Sequence, residues 1–245
     1  MRRLPINLCN DDMKSIITPN ISKKLIAIIS QYKGEISDPV SGFWKSKGDE
    51  DLWASVLGQI AVVGSAASGL ELKNWLNSRV GWFQELAGCD SKARLKAIHN
   101  CFREVGVRYA SADIAKCKKS SAAAYNFEVL MSYGGPKEYF SKVATVPVEA
   151  WRIAVVADDL SYVKNKGARD LLIGLGLVKR AIAFDTRLVS VLTHLGAQLP
   201  PDLAMSKPKY KALETELIEK VCEPCSISGG YFDRILFAKA KSIVV

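Results

Sequence analysis

YVKNKGARDLLIGLGLVKRAIAFDTRLVSVLTHL, residues 162–195, reads as helix, extended return and helix, and the rest of the chain is arranged around it. The first helix starts near Lys166, turns Leu171, Leu172 and Leu175 inward, and stops at Gly176, a residue suited to a left-handed C-terminal cap. Residues 177–184 then run extended and close on the apolar Ala181, Ile182, Ala183 and Phe184. Asp185 is a natural N-cap for the second helix, whose Leu188, Val191, Leu192 and Leu195 fall at i, i+3, i+4 and i+7.

Simple lengths bring the two helix starts together. A helix of about ten residues climbs roughly 15 Å, and eight extended residues cover about 26 Å. The chain can therefore return along its own helix and set Asp185 beside Lys166, 19 residues earlier. Two helix N-termini then face one place, with free N–H groups and the positive ends of two dipoles. Such a place favours a carboxylate or a phosphate over an ammonium, and an amine that sheds its proton is a nucleophile.

Lys166-Gly167-Ala168, followed by Ala183-Phe184-Asp185-Thr186-Arg187, resembles the helix–hairpin–helix DNA glycosylase superfamily, which includes endonuclease III and the 8-oxoguanine glycosylases. The pattern there is a hairpin, then K-x-A opening a helix, then an apolar run ending in an aspartate. The resemblance implies Lys166 as nucleophile and Asp185 as catalytic carboxylate. The chain departs from the pattern at the hairpin, where L-x-G-x-G is usual and Leu160-Ser161-Tyr162-Val163-Lys164-Asn165 stands instead. The ungapped register keeps both K-x-A and the spacing. A shifted one matches Asn165-Lys166-Gly167 to the hairpin and puts Arg169 at the lysine position, and Lys164 is the other neighbouring candidate. Leu57-Gly58-Gln59 also resembles the L-S-x-Q region of endonuclease III-like proteins, which implies that Gln59 enters the DNA stack near the flipped base. A polar residue at a helix end is the equally weighted reading of Gln59.

A chain of 245 residues, 49% of them hydrophobic, has ample material for a core. Its 34 basic and 25 acidic residues leave a net charge of +9, which favours a polyanionic partner. No apolar run reaches the roughly 18–20 residues of a membrane span, and no signal-peptide core stands at the N-terminus, so a soluble intracellular protein is expected, nucleoid-associated in a prokaryote. The cysteines Cys9, Cys89, Cys101, Cys117, Cys222 and Cys225 are scattered as reduced thiols are. Only Cys222 and Cys225 are close, so the four clustered C-terminal cysteines of an endonuclease III-type iron–sulfur site are not supplied. With His99 and His194 the only histidines, no metal site is expected.

The pattern along the chain is helical nearly throughout. Asn20 is read as the cap of a first helix with Leu25, Ile28, Ile29 and Tyr32 on one stripe; residues 33–48 read as a loop anchored by Phe43 and Trp44. A helix from Asp49 closes near Gly64, and Ser65–Gly69 reads as a turn. Further helices are expected from Ser91, over Ala122–Tyr133 capped by Ser120 and Ser121, over 137–144, and from Pro147 to Asp159 with Val148, Trp151 and Val155 inward. The last two are placed from Lys209 to Val221 and from Ser228 onward. Strand alternation is nowhere convincing. An all-α architecture of two helical lobes with a cleft follows. The resemblance implies that residues 33–143 form one lobe, and that residues 1–32 join 144–245, with the motif at about 160–195, to form the other.

The chemistry implied is cleavage of an N-glycosidic bond. A fixed carboxylate, here Asp185, stabilises the cationic sugar, while the Lys166 amine attacks C1′, displaces the base and leaves a Schiff base from which elimination cuts the strand. The implied partner is double-stranded DNA with a damaged base, oxidised guanine by preference, bound by a monomer and without any cofactor. Gln59, Lys164, Asn165, Gly167, Arg169 and Arg187 are the expected DNA contacts, and Trp82, Phe83 and Phe232 the expected base-stacking residues, although Trp82 and Phe83 read more readily as core. A monofunctional glycosylase and a noncatalytic DNA-binding module are the alternatives.

Overall fold

The computed structural model describes residues 15–244. Among them every regular element is helical: α1 (Pro19–Tyr32), α2 (Asp49–Ala61), α3 (Ala66–Asn77), α4 (Trp82–Ala87), α5 (Ser91–Glu104), α6 (Lys118–Ser132), α7 (Pro136–Thr145), α8 (Glu149–Asp159), α9 (Asn165–Gly174), α10 (Thr186–His194), α11 (Lys207–Leu217) and α12 (Gly229–Ile243).

Several boundaries differ from those expected, each for a local reason. Thr18, not Asn20, caps α1, its hydroxyl accepting from the Ile21 N–H. Ser65–Gly69 is not a turn, since Ser65 is the N-cap of α3. Gly69 belongs inside that helix because α2 passes close by: a Cβ there would lie 2.5 Å from Val62 Cγ1. Helix α6 starts at Lys118, before the serines expected to cap it. Its second residue, Lys119, is buried and donates through Nζ to the carbonyls of Ala61 (3.3 Å) and Val63 (2.8 Å), closing the C-terminal end of α2. In α8 the inward face is Ile153 and Val156, whereas Val148 and Trp151 stand exposed. Helix α11 begins two residues early and ends in a wider turn over Ile218–Cys222.

The buried side chains divide into two cores. One joins α2–α9, from Trp44 and Trp53 to Leu171 and Leu172. The other joins α1, α10, α11 and α12 through Leu25, Leu188, Leu213 and Phe232. The boundary lies in the return segment, since Ala181 and Ala183 belong to the first core and Ile182 and Phe184 to the second. Extended backbone sends successive side chains to opposite sides, so four residues stitch the two cores together. Helices α8 and α9 accordingly pack with the first core, so the change of core falls later than the residue 143/144 division. At the end of α9, Gly176 (φ +68°) completes a Schellman cap: its N–H donates to Ile173 O, and that of Leu177 to Leu172 O.

Candidate active site

The return segment is held from beneath by a buried polar clamp. Arg169 on α9 donates through Nε (2.8 Å) and Nη2 (2.9 Å) to the two oxygens of Glu214 on α11, and its guanidinium lies 4.4 Å from the Tyr210 ring centroid. Glu214 also accepts from the Ile182 N–H, while the Tyr210 hydroxyl accepts from Phe184 N–H and donates to Ile182 O. These three backbone groups of the seam, the Ile182 and Phe184 N–H groups and the Ile182 carbonyl, are thus satisfied away from water. The clamp sets the last extended residue, and Asp185 follows it directly. Asp185 accepts from the Leu188 N–H at 2.8 Å and so caps α10.

The start of α9 is fixed from the other side. Buried Asn126 on α6 accepts from the Ser161 N–H (2.7 Å) and donates to Ser161 O (2.9 Å), bracing the turn between α8 and α9. Tyr162 follows in the left-handed region at φ +65°, a conformation that glycine adopts without strain. No side chain caps α9.

Between the cores lies a cleft of about 980 Å³. Gln59 of α2 and its C-cap Val62 line one side; Lys166 and Asp170 of α9, Asp185, Arg187, and Asp233 of α12 line the other. Lys166 is ion-paired with Asp170 one helical turn on. Burial raises the Asp170 carboxyl above its usual range, with Asp185 adding to the rise and Lys166 opposing it. Burial also holds Asp233 well above the ordinary carboxylate range, reinforced by Asp170 and Asp185 and opposed by Lys166 and a hydrogen bond from the Ala183 backbone. One amine and three carboxyls therefore share the cleft.

Of the residues singled out in the sequence, the structure brings Lys166, Asp185, Gln59 and Arg187 to this cleft. Lys164, Gly167 and Gln59 line an adjoining hollow of about 500 Å³, and Gln59 Oε1 stands 3.5 Å from where a Cβ on Gly167 would lie. Arg169 is a correction: it is 6% exposed and fully occupied by Glu214 and Asn165, so it faces no phosphate and cannot take the nucleophile's place in the register. Asn165 is engaged with it, its side-chain oxygen accepting from the guanidinium. Trp82, Phe83 and Phe232 are corrections too. Trp82 packs edge-on to Trp75 and Phe83 against Phe127 in the first core, and Phe232 is wholly buried in the second. An exposed aromatic that does stand at the cleft is Phe237, 48% exposed, with the Arg187 guanidinium 4.1 Å above its ring. Asp170, Asp233 and Phe237 were missed in the sequence; only for Asp170 was there a signal that could have found it, its i+4 spacing from Lys166.

Two helical cores, with the start of α9 and the aspartate-capped start of α10 together on one wall of the cleft between them, make up this fold. Solved structures that share it include 8-oxoguanine DNA glycosylases. The enzyme of Methanocaldococcus jannaschii superposes with a TM-score of 0.69 at 14% identity, over 91% of this chain and 94% of that one. Its glycosylase/lyase complex with a 15-mer DNA containing 8-oxoguanine gives 0.64 at 13% identity, over 92% and 93%. The Thermotoga maritima enzyme Tm1821 gives 0.65 at 19% identity, over 91% and 97%. The sequence matches no protein-family model and no curated protein.

Proposed function

We propose that the protein is a DNA glycosylase of base excision repair that binds duplex DNA as a monomer, takes an oxidised base such as 8-oxoguanine into the cleft, and cuts the strand after releasing it. One observation carries the reading: Lys166 and Asp185, at the starts of two helices, line one cleft large enough for a nucleobase. The DNA complex of a similarly folded glycosylase/lyase supports it. Turning a base out of the duplex costs a few kcal/mol, least where pairing is already damaged. Asp185, fixed by its capping bond, stabilises the cationic sugar without reorganising. The Lys166 amine attacks C1′, and the resulting Schiff base permits β-elimination. Arg187, Lys164 and the uncapped start of α9 face the backbone phosphates, with Gln59 at the gap left in the stack. The chemistry requires no metal and no organic cofactor.

The test is borohydride trapping on duplexes bearing a single 8-oxoguanine, scored beside base release. Covalent capture that disappears in Lys166→Gln supports the lyase reading. Base release without capture makes the enzyme monofunctional, and binding with neither makes it a noncatalytic module.

A further inference from the structure

Lys166 does not stand alone in the cleft: its ammonium is hydrogen-bonded to the carboxylate of Asp170, four residues along the same helix. Resting on the reading of Lys166 as nucleophile, we propose that Asp170 is the positioning residue that aims this amine into the cleft and takes its proton when it attacks.

The geometry meets the first requirement of a base, hydrogen-bond contact with the proton to be moved. The helix supplies the alignment, because residues i and i+4 lie one above the other on a face, and both side chains open on the same cavity. The surroundings supply the affinity. Asp185 faces Asp170 from the start of α10 and Asp233 faces it from α12, with Arg187 and Arg234 also on the cleft wall and uncharged Gln59 opposite. Burial and the Asp185 charge raise the Asp170 carboxyl against the pull of Lys166, which makes it a better proton acceptor than an exposed carboxylate. Desolvation by an incoming DNA strand acts in the same direction, since a neutral amine and a neutral acid survive burial better than an ion pair.

The step balances. Lys166 Nζ gives one proton to Asp170 Oδ2, and the freed electron pair forms the bond to C1′. The C1′–N bond to the base breaks with its pair on the base, which collects the proton from Asp170. Asp170 ends as a carboxylate and the new secondary amine carries the positive charge.

The test follows the rate of borohydride-trapped complex against pH for wild type, Asp170→Asn and Asp170→Glu, on duplexes with one 8-oxoguanine. Wild type should trap with an acid limb set by Asp170. In Asp170→Asn that limb should vanish, leaving a rate that climbs about tenfold per pH unit through neutrality and is roughly 10²-fold lower near pH 7. Asp170→Glu should restore the limb. Folding is checked by DNA affinity, which a proton acceptor does not control. An Asp170→Asn profile parallel to wild type, or a variant that traps faster, overturns the inference alone, as does an Asp170→Glu profile that follows Asp170→Asn. Wild type that never traps overturns the nucleophile reading and this inference with it.

Discussion

Two carboxyls in the cleft differ in what their surroundings ask of them. Asp185 accepts a backbone N–H at a helix start, which suits a charged role. Asp185→Asn keeps the cap, because asparagine caps as well as aspartate, so DNA affinity should hold while base release falls by at least about 10². Single-turnover kinetics beside a binding isotherm checks this; equal losses in both would point to misfolding. Asp233 is the opposite case, a carboxyl whose proton affinity burial raises well above the ordinary value. A carboxyl raised in the folded state stabilises the fold while protonated and loses that contribution as pH climbs through the folded value. Asp233→Asn should therefore gain stability over wild type as pH rises from about 4 through the raised folded value, and show no such gain at the acid end. Thermal melts across that range measure it, and a gap that is constant with pH would contradict it.

Among the elements, the return segment decides the site, and its support was only partly readable. The helix–return–helix order, the Gly176 stop and the Asp185 cap were all legible, because each rests on local backbone chemistry. The clamp beneath was not. Arg169 and Glu214 lie 45 residues apart, and nothing local distinguishes a buried arginine from one that waits for phosphate. The aromatics carry the same ambiguity: the core reading favoured for Trp82 and Phe83 holds, and the base-stacking alternative for them and for Phe232 fails because all three fill cores whose walls come from distant helices. Asn126 braces the turn before α9 from 35 residues away, and no local pattern marks that bond. Glu214→Ala strands the buried Arg169 charge and the Ile182 N–H, which should cost about 3–5 kcal/mol. Urea unfolding reads this directly, and a loss below about 1 kcal/mol, the worth of an exposed pair, would show the clamp to be incidental. Gly176→Ala should destabilise too, because the added Cβ would meet Val40 O at 2.0 Å.

Over the whole molecule, the all-helical class and the two-lobed arrangement followed from periodicity and resemblance, while the line dividing the cores did not. A division inside a four-residue extended run leaves no mark on composition, since alternate side chains simply face opposite ways. The net charge of +9 belongs to this scale as well. With four or five phosphates neutralised, log affinity for duplex DNA should fall against log salt with a slope of about −4; a fluorescence titration at several ionic strengths gives the slope, and indifference to salt would remove the nucleic-acid partner. If Lys166 and Asp185 together excise a damaged base, a panel of duplexes with single lesions will show it. Base release and strand cleavage are scored separately for wild type, Lys166→Gln and Asp185→Asn. Wild type should release the base and cleave the 8-oxoguanine duplex, and neither variant should cleave. Contradiction would be a wild-type protein that binds every duplex and releases no base from any, or a Lys166→Gln variant that cleaves as wild type does.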